Sequence, residues 1–565
     1  MKANTLILSF CLIAGAALTA GAADPVRERI YVRTDKQTYL PGEMLWLKAH
    51  VTGHDGRPVS FSRIGYVELH DGSSPVVQVK IELSDGNGSG WMELPATLPT
   101  GYYYLRAYTR YMRNEGEAVF FSKRLAVINP FTADRAISID TAPPALPLPR
   151  PEPGIKVSLN RGQACAIRSE GEILLEDLPE DIHSLSLSVA GKDIVPGDGL
   201  SDICSWHGQL PQLPLQPVQA GFIPEYEGHI VAGSLTDAAS GEPADERVVS
   251  FLAFPGDRIR LFGGQYRDEG RVSFYTKGIT GVYMAAAVTR TGPSGREYRL
   301  GLQSPFAPLT AVARTPFRLH PSWESELLQR SVALQVMHSY TPDMTGRTDS
   351  ASIASVFMWP PDRTYILDEY TRFTSMEEVV SEFVLGLGIR RDNGKRYISV
   401  MREDRIGQTL AGSSVNSLVL LDGIPIADHD FICNYDPLQV RKIEIYRGVY
   451  FFGEQYFDGI ASFSTYNYRY PGLKTDAKLQ MVYYEGTQPQ RLFRYPSYRD
   501  EQERKSPAPD FRHTLLWMPE ISTGGRSSVV IPFTTSDYTG EFQVVVEGLT
   551  RDGKPVFGIA DFKVE

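Results

Sequence analysis

Apolar and polar positions alternate along most of this chain, which is the pattern of β-strands that have one buried face. Three of these runs open on a Thr-Gly pair, at Gly101, Gly281 and Gly540, and each continues into aromatic and branched residues. The recurrence predicts that one kind of strand occurs at widely separated places in the fold.

A Gly-x-Pro sequence is the second repeated feature, and it follows strand-like runs at residues 56–58, 241–243 and 553–555. Glycine adopts positive φ and proline cannot extend a ladder, so each copy predicts a hairpin or a sandwich corner. The copies are much farther apart than the roughly 20–50 residues of a solenoid unit. The predicted fold class is therefore mainly β, with tandem immunoglobulin-like β-sandwiches.

One region has a different pattern. Ser375 and Glu378 form a capping-box sequence, and an apolar helical face follows them. Three strand-like runs come next, and two of them, at 419–421 and 443–445, are almost continuously apolar. Strands of this kind are covered on both faces, so we expect the two runs to be neighbouring central strands of an inserted α+β module. A further helix is predicted near 323–340.

The same signals divide the chain into nine segments. They are a signal peptide (1–22), a β-sandwich (24–135), a Pro-rich linker (136–153), a small β domain (154–220), a further sandwich (227–318), a mixed connecting segment (319–364), the α+β module (365–470), a second connecting segment (471–504) and C-terminal sandwich strands (505–565). We expect strands from elsewhere in the chain to complete the last segment.

The N-terminus has the organisation of a secretory signal. Lys2 precedes an apolar stretch at 6–18, and small residues allow cleavage after Ala22 or Ala23. No later apolar run reaches the roughly 18 residues that span a bilayer as a helix. The expected location is the periplasm or cell surface, associated with the outer membrane. The formal net charge is −10 and no basic block is present, which argues against a nucleic-acid partner.

Three cysteines follow the predicted signal peptide. Cys165 and Cys204 lie in one predicted β region, and an exported compartment permits disulfides, so we predict that they pair, with two separate thiols as the alternative. Cys433 has two interpretations, a buried thiol or a metal ligand near His429. The paired Cys and His spacing of structural zinc sites is missing, and no metal or cofactor is predicted.

The opening strands carry the first family resemblance. Thr34-Asp35-Lys36, an aromatic residue at Tyr39 and Pro41-Gly42-Glu43 before an apolar strand resemble the macroglobulin-type domain of the alpha-2-macroglobulin superfamily. The resemblance implies macroglobulin-type sandwiches. The covalent thioester of that superfamily needs a Cys-Gly-Glu-Gln sequence, and Phe452 stands where the cysteine would be, before Gly453-Glu454-Gln455. Covalent trapping of proteases is therefore not expected.

The α+β module resembles the plug domain of TonB-dependent outer-membrane receptors. The resemblance is carried by Asp422-Gly423 after an apolar strand, by a second strand that ends at Gly448, and by Gly459-Ile460. About one hundred residues follow, too few for the barrel of such a receptor at 9–11 residues a strand. The combination of macroglobulin-type sandwiches with a plug-like domain lacking the barrel resembles exported Bacteroidetes-type proteins of undefined role.

Sequences typical of catalysis are missing: there is no nucleophile elbow, no His-Glu-x-x-His and no phosphate loop. We therefore expect no enzyme activity. The favoured hypothesis is an exported envelope binding or scaffold protein with protein partners, which docks to outer-membrane machinery through the plug-like domain. The alternatives are a non-covalent macroglobulin-like protease inhibitor, with 141–153 or 498–506 as a bait loop, and an accessory component of TonB-dependent uptake.

Loops carry recognition in scaffolds of this kind. The turn-rich segment 428–437 is the favoured contact loop, and its candidate contact residues are Asp428, His429, Asp430, Phe431 and Tyr435. The alternative is an ordinary exposed loop between two plug-like strands.

Overall fold

The structure is a computed structural model. It describes residues 26–132, 138–140, 154–160, 162–195, 202–215, 221–340, 360–401 and 416–565. The predicted signal peptide and most of the Pro-rich segment lie outside the described residues, so both stay predictions.

In the first half of the chain, the regular elements of the described residues are strands apart from one α-helix and a few 3-10 turns. Its elements are β1 (Glu28–Thr34), β2 (Thr38–Tyr39), β3 (Met44–Gly53), β4 (Ile64–His70), β5 (Pro75–Ser84), β6 (Asn87–Glu93), β7 (Gly101–Thr109), β8 (Phe121–Val127), β9 (Ser138–Ile139), β10 (Lys156–Leu159), β11 (Ala164–Cys165), β12 (Glu170–Glu176), β13 (Ile182–Gly191), α1 (Ile203–Gln209), β14 (Ile230–Asp237), β15 (Ser250–Ala253), β16 (Leu261–Gly263), β17 (Gln265–Tyr266), β18 (Arg271–Tyr275), β19 (Val282–Thr289) and β20 (Tyr298–Leu302).

The second half adds most of the helices. Its elements are β21 (Arg318–Leu319), α2 (Glu324–Tyr340), β22 (Arg363–Ile366), α3 (Met376–Glu382), β23 (Leu387–Asp392), β24 (Lys395–Val400), β25 (Leu418–Leu421), β26 (Ile424–Pro425), α4 (His429–Cys433), β27 (Val440–Phe452), β28 (Gln455–Thr465), β29 (Leu479–Glu485), α5 (Glu501–Arg504), β30 (Thr514–Met518), β31 (Val529–Thr534), β32 (Gly540–Thr550) and β33 (Pro555–Val564). Among the described residues, none of the helices combines the length and the apolar composition that a bilayer-spanning helix needs.

The first sandwich is made by one continuous stretch of chain. Its strand order is β1-β3-β6-β5-β4-β7-β8-β2, and β5 joins the two layers because it pairs with β4 along its length and with β6 only at Leu83 and Ser84. Alternating residues of these strands fill a single core. The predicted fold class, mainly β with tandem sandwiches, is confirmed.

The composite sandwich is built from two distant stretches of chain. One sheet has the order β10-β12-β31, and the other has the order β11-β33-β32-β13-β30. The segment predicted as a small β domain thus supplies the strands that complete the C-terminal ones, and the two share one core. Helix α1 does not join this core: its Ile203 and Trp206 are buried in the first sandwich.

The third sandwich also takes a strand from far along the chain. Its sheets have the orders β17-β18-β14-β20 and β16-β15-β19-β29. Strand β29 comes from the predicted second connecting segment and pairs with β19 from Val282↔Glu485 to Val288↔Leu479. Part of that segment is therefore a structural strand rather than a connection.

The α+β module consists of the sheet β22-β27-β28-β25-β26, the hairpin β23-β24 and the helices α3 and α4. The prediction that 419–421 and 443–445 are neighbouring strands is wrong: β28 lies between them, parallel to β25 and antiparallel to β27. The run 419–421 is fully buried as expected, whereas in the second run Ile443 and Ile445 are buried and Glu444 between them is partly exposed. Sequence alternation shows that a strand is central but does not show which strand pairs with it.

Candidate binding groove

A groove of about 870 Å³ lies between the third sandwich and the α+β module. One wall is the connection at 221–229 that leads into β14, the floor is formed by β16 and its neighbours, and the other wall is β27. The lining includes Ile223, Tyr226, Phe262, Tyr275, Val449 and Phe451. A volume near the upper end of the range of small-ligand sites, with an apolar lining, makes this groove the candidate site.

The hairpin β27–β28 has two apolar faces. Phe452 and Phe457 point inward, are buried, and belong to a core that also contains Phe251 of the third sandwich. Phe451 and Tyr456 stand opposite each other on the outer face, with ring centroids 6.4 Å apart. Phe451 is 74% exposed. An apolar outer face beside an open groove is unusual for a solvent-facing strand and indicates a contact surface.

Two glycines allow the hairpin to reach the third sandwich. A Cβ atom on Gly263 would lie 2.2 Å from both the carbonyl carbon and the carbonyl oxygen of Phe452. A Cβ atom on Gly453 would lie 2.8 Å from the carbonyl group of Gly263, and Gly453 also has a φ of +59°. The backbones therefore touch directly, and only glycine allows that approach.

The connection that forms the opposite wall is attached to the first sandwich. The Nδ2 group of Asn114 donates to the carbonyl oxygen of Phe222 (2.6 Å), and Arg113 lies 4.2 Å above the Phe222 ring. The buried carboxyl of Glu225 accepts from the backbone N–H of Ile230 (2.7 Å) and bonds to the hydroxyl of Tyr66 (3.0 Å). These contacts hold the wall in place and leave neighbouring apolar residues exposed.

Burial controls the ionisation of the groups behind this wall. It raises the pKa of Glu225 to about 7, and Arg110 and Lys80 only partly oppose that effect. Burial also lowers the pKa of His229 well below its ordinary value. The Nδ1 atom of His229 lies 2.8 Å from the hydroxyl of Tyr484. His229 is therefore a neutral structural group at neutral pH.

Two charged residues are shared by the groove and a second cavity of about 380 Å³ beside it. Glu227 and Lys277 line both cavities and are exposed. Within the described part of the chain, neither takes part in an ion pair. At the boundary of the two cavities, the negative side chain of Glu227 and the positive side chain of Lys277 are thus both accessible to a ligand.

The predicted contact loop, 428–437, is only partly exposed. Its residues form the short helix α4, capped by Asp428, and His429 and Tyr435 are buried. His429 Nδ1 accepts from the backbone N–H of Ile398 (3.0 Å), and Asp430 is bound to Arg396. Burial lowers the pKa of His429 to about 4.

The side chain of Phe431 packs against the core of the α+β module, with its ring 5.4 Å from that of Tyr435. Asp428, Asn434 and Asp436 of the same segment are exposed, so part of its polar sequence faces solvent and part caps α4. A contact role for the segment stays a prediction, with His429 and Tyr435 serving as buried structural residues.

Cys165 and Cys204 are not joined in a disulfide. Cys165 lies in the core of the composite sandwich, whereas Cys204 packs against the core of the first sandwich. The predicted pairing fails because α1 leaves the β unit from which both residues were expected to come. Cys433 is buried in the core of the α+β module, and no cluster of His, Cys, Asp and Glu able to hold a metal ion occurs among the described residues.

The Gly-Glu-Gln sequence and the candidate bait loop 498–506 both lie among the described residues. The Gly-Glu-Gln sequence is the tip of the hairpin β27–β28, and Phe452 before it is buried. The stretch 498–506 contains α5, and Arg168 donates to the carbonyl oxygens of Arg504 (3.1 Å), Ser506 (2.5 Å) and Ala508 (2.7 Å). These bonds attach the C-terminal end of the stretch to the composite sandwich, and the bait-loop alternative stays a prediction.

The groove residues were missed at the sequence level. The signal that could have revealed them is the run 449–457, in which aromatic residues occupy both faces of one hairpin instead of alternating with polar residues. Ile223 and Tyr226 carry no such signal, because they lie in an irregular connection.

The described fold is a chain of β-sandwiches with one α+β module. No family model and no curated protein matches the chain. Among solved structures it is similar to Escherichia coli alpha-2-macroglobulin activated by porcine elastase, with 10% identity, 95% of this chain and 44% of that chain covered, and a TM-score of 0.24. A second similar structure is Salmonella alpha-2-macroglobulin reacted with methylamine, with 11% identity, 95% and 39% covered, and a TM-score of 0.22.

The native conformation of Escherichia coli alpha-2-macroglobulin is a third similar structure, with 11% identity, 96% and 40% covered, and a TM-score of 0.23. The chain thus spans less than half of the length of these macroglobulins.

Proposed function

We propose that this chain is a non-enzymatic binding protein of the bacterial envelope, and that the groove between the third sandwich and the α+β module is its binding site. The observation that carries the proposal is the exposed apolar rim, in which Phe451 and Val449 of one wall face the same cavity as Tyr226 and Ile223 of the other. Exposed apolar clusters beside a cavity are typical of recognition surfaces.

The export and the envelope location rest on the predicted signal peptide, and docking to outer-membrane machinery rests on the plug-like resemblance of the α+β module. In this proposal the sandwiches act as a frame. They hold the connection and the hairpin at a fixed separation, so that the site exists before the partner arrives. Pre-formed sites lose less conformational entropy on binding than flexible ones.

The test is recovery of partners from the envelope fraction of the producing cells. The wild-type chain, a Phe451→Asp variant and a Tyr483→Asp variant serve as baits. Tyr483 is the matched control, because it is an aromatic residue 67% exposed on a strand of the third sandwich and does not line the groove. Both substitutions add one charge at an exposed position.

We expect the wild type and Tyr483→Asp to recover the same proteins and Phe451→Asp to lose them. Full recovery by Phe451→Asp would show that the groove is not the binding site. Loss by both variants would show a nonspecific effect of charge on an apolar surface and would also contradict the proposal.

A further inference from the structure

The exposed apolar residues of the hairpin wall follow the period of a β-strand. Val449 and Phe451 are two residues apart on the same face of β27, and Tyr456 stands directly across from Phe451 on β28. Alternate residues of a strand are about 6.8 Å apart. An extended polypeptide presents its side chains at the same interval, whereas a helix does not.

The inner face of the same hairpin already forms an apolar interface. Tyr450 packs against the core in which Phe452 and Phe457 are buried, and residues of the third sandwich share that core. The groove is lined by residues of both faces, since Tyr450 and Phe452 line it together with Val449 and Phe451. A partner segment laid along the groove would therefore contact the edge of the apolar interface that the fold itself uses, as well as the exposed row.

The charges that line the groove favour a neutral, dipolar ligand. Glu227 and Lys277 carry opposite charges, and both are exposed toward the cavities. An anion would meet one attractive and one repulsive group, and so would a cation. A polypeptide main chain offers N–H groups to a carboxylate and C=O groups to an ammonium, so it satisfies both.

We propose that the groove takes an extended segment of a partner protein with apolar side chains at alternating positions. This inference rests on the proposed function and names the partner class for that site. The apolar side chains contact the rim that contains Phe451 and Tyr226, and the main chain of the segment meets Glu227 and Lys277. Recognition by an apolar row and main-chain contacts is a common mode of binding extended peptides.

The test uses two synthetic peptides of eleven residues with identical composition and a fluorescent label. The first alternates Val, Phe and Tyr with Thr, Ser and Gln, and the second groups the three apolar types in one block. Fluorescence anisotropy measures the dissociation constants for the wild type and for the variants Phe451→Asp, Gly263→Ala and Tyr483→Asp. Circular dichroism verifies that each variant is folded.

We expect the wild type and Tyr483→Asp to bind the alternating peptide at least ten-fold more tightly than the grouped one. Phe451→Asp is expected to weaken that binding at least ten-fold because a charge enters the apolar row. Gly263→Ala is expected to abolish the discrimination between the two peptides, because its Cβ atom moves the hairpin away from the third sandwich.

Equal affinity for both peptides would overturn the inference. So would displacement of the alternating peptide by maltohexaose, which would identify a carbohydrate site. If no peptide binds while partner recovery still depends on Phe451, the partner class is wrong and the proposed function stands. If neither peptide binding nor partner recovery depends on Phe451, the inferred partner class and the proposed function are both wrong.

Discussion

The junction between the first and the composite sandwich is polar, whereas the junction between the third sandwich and the α+β module is apolar. At the polar junction Arg33 donates to the hydroxyls of Ser186 (2.9 Å) and Ser188 (2.6 Å), and Tyr31 donates to Glu547 (2.7 Å). At the apolar junction one hydrophobic core contains residues of both units, including Phe251 and Phe457, whose rings are 6.0 Å apart.

The two junctions differ in the interactions on which their stability depends. Burial raises the pKa of Glu547 even though Arg33 lies 3.8 Å away, so desolvation outweighs the charge pair. Such a junction depends on every partner being present, because a lone buried charge is costly. The apolar junction depends on close packing of its side chains, and a buried charge would destabilise it. Because the third sandwich and the α+β module share this core, we expect them to unfold together.

The largest expected effect is that of Leu420→Asp in β25. Leu420 is fully buried in the shared core, so the substitution buries an unpaired charge and should cost more than about 4–5 kcal/mol. We expect hydrogen exchange to show loss of protection in the α+β module and in β15 and β19 together.

The matched control is Leu385→Asp, at an exposed leucine of the same module, which should change the free energy of unfolding by less than about 0.5 kcal/mol. Unchanged protection in β15 and β19 of Leu420→Asp would show that the apolar junction joins two independent folding units.

The second effect tests the polar junction. Arg33→Met leaves Glu547 buried without its cation and should cost roughly 3–5 kcal/mol. Adding Glu547→Gln removes the charge and keeps an acceptor for Tyr31, so the double variant should recover most of the loss. Urea unfolding of the single and double variants measures this coupling. Additive losses would show that Arg33 and Glu547 act independently.

The third effect is a pH dependence at Glu225, which lies between the first and the third sandwich. Burial raises its pKa from 4.5 to about 7, so the folded protein holds the proton more tightly than the unfolded chain. The contribution of Glu225 is therefore fully present below pH 4.5 and falls by roughly 2–3 kcal/mol as the pH rises to about 7.

Glu225→Gln removes this titration and keeps an acceptor for Ile230. The difference in the free energy of unfolding between wild type and Glu225→Gln should shift in favour of the variant as the pH rises through this window. Urea unfolding at pH 4.5, 5.5, 6.5 and 7.5 measures it. A difference that does not change with pH would contradict the assignment.

The smallest effect concerns a helix cap inside the α+β module. Ser375 accepts from the backbone N–H of Glu378 at the start of α3 (3.3 Å). Ser375→Ala should cost about 1 kcal/mol without disturbing the shared core. Thermal unfolding measures it, and a loss above roughly 3 kcal/mol would show that the cap also supports the apolar junction.

The helix caps and turns were readable from the sequence because they are local. Ser375 caps α3 as its spacing with Glu378 predicts, and the Glu378 carboxylate also accepts from the backbone N–H of Thr374. The positive φ of Gly56, Gly241 and Gly553 likewise agrees with the Gly-x-Pro turns. These features depend on a few neighbouring residues.

The candidate site could not be predicted in the same way. The segment 428–437 has the composition of an exposed loop, yet its capping and pairing partners come from the β23–β24 hairpin and from α4 itself. The groove is lined by the connection at 221–229, by β16 and by β27, whose positions along the chain are up to about 230 residues apart. No local sequence pattern predicts that these three distant segments lie side by side.

The sequence by itself determined the strands, their buried faces, the turns between them and the one α+β insertion, because alternation, turn residues and caps act over a few residues. Only the tertiary structure decided that 156–191 pairs with 514–564 and that β29 completes the third sandwich. Every strand offers the same backbone groups to a neighbour, so the choice of partner depends on how whole apolar faces pack. The groove exists because of this strand pairing. The surface from which we infer function therefore also depends on the tertiary structure.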